Sequence, residues 1–185
     1  STLDRSSAAS DVYKRQALDH MKQHFKEKLR RPALAENEES WAFVILPKEL
    51  SGTLARRGRI SVEASINGSS FIVTLEPDGY LSHWLRISAE IMTSAELDFG
   101  DIVSVAITPL DQEPEPEVPA DFKLALGKAH DAGAVWAQTT VIARLDWIHW
   151  IESAKQSKTR AKRIADACDM PVSYTHLRAH ETSLH

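Results

Sequence analysis

The segment Asp111-Gln112-Glu113-Pro114-Glu115-Pro116-Glu117-Val118-Pro119 constrains this chain more than any other stretch. Its prolines fix φ and remove backbone donors, and its acids repel one another, so it suits neither a helix interior nor a central strand. The hydrophobic period changes across it. Before it, apolar residues alternate as in half-buried strands; after it, they recur every three or four residues as in helices. Such a chain is expected to form a β-rich module, an acidic linker and a helical module.

The β-rich part is legible strand by strand. Phe25–Leu29 is read as the first strand, and Trp41-Ala42-Phe43-Val44-Ile45-Leu46 is a short aromatic and β-branched run. Arg59–Ile66 alternates, with Ile60, Val62, Ala64 and Ile66 on one face. Asn67-Gly68, the strongest short hairpin signal, turns the chain into Phe71–Leu75. Asp78-Gly79 predicts a further turn before a strand over Tyr80–Ile87, and Gly100-Asp101 leads into Ile102–Ile107.

Two stretches in this region repeat one plan. Leu46-Pro47-Lys48-Glu49-Leu50 precedes Gly58-Arg59-Ile60-Ser61-Val62; Ile87-Ser88-Ala89-Glu90-Ile91 precedes Gly100-Asp101-Ile102-Val103. Each reads as strand, short helix, glycine turn, strand. Pro47 suits a first helical turn, where its missing N–H has no intrahelical partner, and Ser88 suits an N-cap. Two such halves can pair into one closed barrel with no exposed sheet edges. Ile60 and Val62 are then expected to share a core with Val103 and Val105.

Beyond the linker, Asp121–His130 predicts one short helix. Trp136, Thr140, Ala143, Trp147, Trp150, Ile151 and Ala154 fall on one face of a single long helix. Lys158 to about Cys168 predicts a last helix capped by Ser157.

The two ends read as foreign. Asp11–Gln16 and Val172–His176 can be written as codons that are reverse complements of one another, as translated transposon-end sequencing adapters would be. Residues 1–20 and 171–185 are therefore set aside as a non-native tail with leader and a second non-native tail. Neither has an apolar period, and both are expected to stay without order. Met21 is the expected native start, and the native chain is expected to have been cut near Met170. The expected boundaries are 21–110 for the barrel, 111–119 for the linker and 120–170 for the helical module.

Residues 17–170 hold 18 Lys and Arg against 23 Asp and Glu, which excludes a generally basic nucleic-acid binder. The longest apolar runs are far shorter than a membrane span. A signal peptide is not legible, and the cytoplasm is the default location. One cysteine, Cys168, permits no internal disulfide and no multi-cysteine metal site. His83, His130 and His149 lack the spacing of metal ligands and are expected as surface or capped residues. Glu113, Glu115 and Glu117, interleaved with proline, read as a solvated linker rather than catalytic carboxylates, which need a rigid frame. No catalytic residue, metal site or cofactor site is legible, and no cofactor is expected.

The barrel residues carry a resemblance. Trp41–Glu49, Gly58–Val62, Ile66-Asn67-Gly68 and Gly100–Val103 resemble a bacterial domain of unknown function, number 1905, with a double-split β-barrel. That barrel is similar in shape to the small swapped-hairpin transcription regulators. Arg144, Trp150-Ile151, Ala154-Lys155, Thr159-Arg160 and Arg163-Ile164 resemble the helical module called YdeI/OmpD-associated, or bacteriocin-protection. Gln138-Thr139-Thr140-Val141-Ile142-Ala143 replaces the polar Ser-His segment of that module. The resemblance covers roughly Phe25–Cys168. It implies an α+β protein: a double-split, swapped-hairpin-like β-barrel followed by a small α-helical module.

One constellation stands above background. Residues 144–163 hold six Lys and Arg against Asp146 and Glu152. Arg144, Trp147, Trp150, Lys155, Arg160 and Arg163 form the candidate ligand-binding set, with arginine forks for phosphate and tryptophan for stacking. The competing reading is a tryptophan core face with a solvated basic back, to which Glu113–Glu117 could bind internally. The expected function is a non-enzymatic binding or stress-associated protein with an anionic ligand or protein partner. The alternatives are a nucleic-acid-binding regulator, by analogy with the swapped-hairpin barrels, and an enzyme with its site between the modules. The acidic barrel, where only Arg56, Arg57 and Arg59 cluster, argues against the regulator.

Overall fold

The computed structural model describes residues 2–33, 40–129 and 131–169. The chain divides into two compact units between Gln112 and Glu113, inside the expected linker.

The first unit is an antiparallel barrel of six strands: β1 (Gln23–Lys28), β2 (Ala42–Ile45), β3 (Ile60–Ile66), β4 (Ser69–Pro77), β5 (His83–Ile87) and β6 (Ile102–Pro109). Their spatial order is β1-β6-β3-β4-β5-β2. The two outer strands meet through one bridge, in which Arg30 and Phe43 exchange both backbone hydrogen bonds, so the barrel is nearly closed. This joint gives partners to backbone groups that an open edge would expose.

The repeat explains the order. Copy one is β2, helix α2 (Lys48–Gly52) and β3; copy two is β5, helix α3 (Ala89–Ser94) and β6. Corresponding strands pair with each other, β2 with β5 and β3 with β6, as an approximate two-fold relation requires. Val62, Val103 and Val105 are buried in one cluster, with Ile60 packed against it, as the repeat argument expects.

Local chemistry sets the turns. Asn67 and Gly68 both have positive φ, 49° and 82°, so the two residues joining β3 to β4 form the type I′ turn expected of that pair. Ser88 caps α3 by accepting the Ile91 N–H at 3.3 Å. Tyr80 and Leu81 differ from expectation, because they belong to the loop before β5. The Asp78 carboxylate accepts the Tyr80 and Ser82 N–H groups, at 2.7 and 2.9 Å, and holds the loop with Leu81 at φ 68°. A local side-chain bond competes there with strand pairing and wins.

The N-terminal segment also differs from expectation. Thr2–Asp19 is helix α1, although every side chain from Ser7 to Ala17 is exposed. Alanine, leucine, lysine, arginine and glutamine favour helix locally and do not need burial to do so. The other expected tail, 171–185, lies outside the described residues, as does His130.

The second unit holds helices α4 (Ala120–Lys128), α5 (Ala132–Gln138), α6 (Val141–Glu152) and α7 (Ser157–Cys168). The single long helix is a correction: the chain breaks at Thr139-Thr140 into α5 and α6. Thr140 is extended at φ −66°, ψ 155° and accepts the Ala143 N–H at 3.2 Å, starting a new helix. Ser157 is the first residue of α7, and Gln156 holds the cap position without a side-chain bond. Phe122, Ile151 and Ile164, from α4, α6 and α7, form the buried centre; Trp136 meets Phe122 edge-on at 4.9 Å. α6 buries Ala143, Leu145, Trp147, Ile148 and Ile151, more than one stripe, as a central helix does. Among the described residues, no helix is long and apolar enough to cross a membrane.

Candidate functional site

The candidate set in the helical unit is drawn largely into the fold. Arg144 leaves α6 with only 13% of its side chain exposed. It donates to the carbonyls of Trp136 and Thr139 at the C-terminal end of α5, and to Glu115 at 2.7 Å. The linker does bind a basic helical residue of the candidate set: Glu115 pairs with Arg144.

Arg160, on α7, reaches back to the first turn of α4. Its Nε and Nη2 donate to the two Asp121 carboxylate oxygens at 2.7 and 3.0 Å. This bond holds the Asp121 carboxyl below its usual pKa of 3.8 and raises that of the guanidinium, because each partner favours the charged form of the other. Arg163 lies over the Trp150 ring, 5.1 Å from its centre, and donates to the Trp150 carbonyl and the Ser153 hydroxyl. Both acceptors end α6, where a cation is favoured.

Trp147 is 4% exposed and meets Trp150 edge-on at 5.3 Å. Lys155 stands in the α6–α7 loop and is exposed, as are Lys158 and Lys162 of α7. The structure thus brings Trp147, Trp150 and Arg163 together, places Arg144 and Arg160 in separate ion pairs, and leaves Lys155 in solvent. Cys168 is half-buried, and burial, then the nearby Asp169, raises its thiol pKa, the opposite of activation.

The barrel holds a serine–histidine pair that sequence reasoning did not join. His83 is 2% exposed and Ser51 6%. His83 Nε2 lies 2.9 Å from the Gly58 carbonyl, which can only accept, so this nitrogen carries the proton. In the neutral ring Nδ1 then accepts the Ser51 hydroxyl at 2.6 Å. Both ring nitrogens are satisfied inside the barrel wall, and the serine points its hydroxyl at histidine rather than at solvent. The pair ties α2 to β5 and matches the expectation of a capped histidine.

A second feature lies on the outer side of the barrel. On β2, Ala42 and Val44 are buried while Phe43 and Ile45 are half-buried; on β5, Leu85 and Ile87 are buried while Trp84 and Arg86 face outward. Phe43 stands opposite Arg86 on one side and Arg30 on the other. Trp41, Phe43 and Trp84 cluster at centroid distances of 6.0, 6.1 and 6.3 Å, and the Arg86 guanidinium sits 4.4 Å over the Trp41 ring. The sequence signal was a short aromatic and β-branched run in one segment and a strand after Asp78-Gly79 in the other. That signal marks strands without saying which of them are neighbours or which side faces outward.

Among the described residues, no three His, Cys, Asp or Glu side chains gather as metal ligands would. An open groove of about 560 Å³ beside α3 is lined by Ser40, Met92, Thr93, Glu96, Asp98 and Phe99, among others. Among the described residues that line it are two carboxylates and two hydroxyls, with no histidine, lysine or cysteine to act as their partner.

Comparison with known families agrees with the two units. Residues 25–107 match the model of a domain of unknown function, DUF1905. Residues 115–171 match the family described as bacteriocin-protection, YdeI or OmpD-associated. A search of curated proteins found no match. The chain thus carries, in this order, a DUF1905 domain as its barrel and a YdeI/OmpD-associated domain as its helical unit.

Proposed function

We propose that this chain is a binding protein without catalytic chemistry, and that the outer β2–β5 face of the barrel is where it recognises an anionic ligand. The observation that carries the reading is the grouping of Trp41, Phe43 and Trp84 with Arg86 and Arg30 on the outward side of paired strands. Aromatic rings on the solvent side of a sheet add nothing to the barrel interior. Combined with guanidinium groups, they suit a ligand with planar and anionic parts. In the helical unit Lys155 is exposed and open to an anion, while Arg144, Arg160 and Arg163 hold helices and carbonyls in place. Such binding fits a role in the bacterial cytoplasm, and the bacteriocin-protection description of the family supports a protective, stress-associated one.

The test is thermal unfolding of the full chain against nucleotides, phosphorylated small molecules and oligonucleotides, with mass spectrometry of each compound afterwards. At least one class should raise the melting temperature of the wild type and not that of Trp84→Leu. Chemical conversion of any compound by the wild type, or no shift with any class, overturns the reading.

A further inference from the structure

We propose that the outer surface formed by β1, β2 and β5 binds single-stranded nucleic acid. The proposal rests on the reading of that face as a recognition surface and names its ligand. β1 alternates between half-buried Gln23, Phe25 and Glu27 and exposed His24, Lys26 and Lys28. Leu29 is buried and Arg30 exposed, so the outward row continues through Arg30. Across the sheet from this row stand Ser104, opposite Lys26, and Ile102, opposite Lys28, so β6 brings no carboxylate to it. Glu27, half-buried on the other face, comes within 4.0 Å of Arg30.

Arg30 is also where this cationic row meets the aromatic cluster, because its bridge partner is Phe43. The outer surface therefore runs from Lys26 through Lys28 and Arg30 to Phe43, then to Arg86, Trp41 and Trp84. Successive outward residues on a strand are about 7 Å apart, which spreads the cations along a line rather than concentrating them at one point. Glu76, opposite Trp84, is engaged by the Arg59 Nε at 2.8 Å, which offsets its charge.

A line of cations tracking a backbone beside rings on which bases stack is the combination that binds single strands without reading their sequence. A duplex would present phosphates to the lysines and keep its bases from the rings. An acidic peptide would engage the cations and leave the rings with little to stack on. A net acidic protein can use such a surface because screening limits the repulsion from its distant carboxylates.

The experiment is fluorescence anisotropy of the full chain with a labelled single-stranded 12-mer, as DNA and as RNA, at rising salt. Three to four phosphate contacts predict roughly 20- to 50-fold weaker binding between 50 and 200 mM salt. Lys26→Gln with Lys28→Gln replaces two exposed side chains and should lower the slope of log affinity against log salt by about 1.4. Trp84→Leu should weaken binding roughly 5- to 150-fold with little change in that slope, as loss of a stacked base does. Circular dichroism confirms that each variant folds.

Equal binding of the duplex, equal binding of poly-glutamate, or full affinity in both variants overturns the inference. Failure to bind any oligonucleotide while a small anion still stabilises the wild type but not Trp84→Leu rejects the nucleic acid and keeps the binding function. Failure with both rejects both.

Discussion

Arg160 closes its guanidinium fork on both carboxylate oxygens of Asp121, at 2.7 and 3.0 Å, and so joins the last described helix to the first helix of the second unit. A feature that reads in sequence as part of a basic patch serves here as a clasp between α7 and α4.

The clasp sets an acid dependence. The folded-state pKa of Asp121 lies below its usual 3.8, so the pair's contribution is complete above that value and disappears as pH falls through the depressed one. The pair is partly exposed, so the contribution is about 1 kcal/mol or less. Asp121→Asn should be slightly less stable than the wild type at pH 7, and the difference should shrink as pH falls below 3.8. Urea unfolding at several pH values measures it, and a difference that does not shrink with acidification contradicts the assignment.

Arg144 should matter more, because its side chain is nearly enclosed and answers two carbonyls and a carboxylate. Arg144→Ala leaves these acceptors without a charged donor, at a cost of roughly 1.5–3 kcal/mol. Arg144→Lys should recover little, since an ammonium cannot span the three positions that the planar fork reaches. Thermal unfolding of the second unit should fall by about 4–8 °C for each kcal/mol lost. Full recovery by lysine would show that charge alone matters.

Ser51 and His83 should behave as one unit. Ser51→Ala leaves Nδ1 of a buried imidazole without its hydroxyl, costing roughly 1–3 kcal/mol. His83→Leu removes the ring that needs the hydroxyl, so adding Ser51→Ala to it should cost clearly less than in the wild type. A double-mutant cycle in chemical denaturation reads the coupling, and strict additivity would dissolve the pair.

Gly68 should test backbone alone. A Cβ built there meets no atom within 4 Å, yet φ is +82°. Gly68→Ala should therefore destabilise the barrel by roughly 1–2 kcal/mol through conformation, without a clash. D-alanine, introduced by semisynthesis, should be tolerated. A comparable loss with D-alanine would point to crowding instead.

Helix α1 should be dispensable. Its side chains from Ser7 to Ala17 are exposed, and the ion pair of Lys14 with Asp111 spans 4.0 Å between two exposed groups. Deleting residues 1–16 should shift the barrel's melting temperature by no more than about 4–8 °C, the equivalent of one such pair at its strongest. A larger fall would show that the helix packs.

Local chemistry determined much of the fold by itself. Asn67-Gly68 dictated its own turn, Ser88 its helix start, and the alternation of Ile60, Val62, Ala64 and Ile66 its buried face, because each depends on neighbours within a few residues. The repeat of strand, helix, glycine and strand also foreshadowed how like strands pair. The same local rules misjudged Thr140, whose apolar neighbours suggested one continuous helix while its hydroxyl was placed to cap a new one. Tertiary structure alone decided what meets what. Arg144 finds Glu115 across 29 positions, Arg160 finds Asp121 across 39, and His83 finds Ser51 across 32. The Arg30–Phe43–Arg86 row exists only because β2 lies between β1 and β5 at that point. Periodicity assigns a residue to a face of its own element, but the neighbour across that face is set by chain closure and by burying the most apolar surface, which no short window of sequence contains.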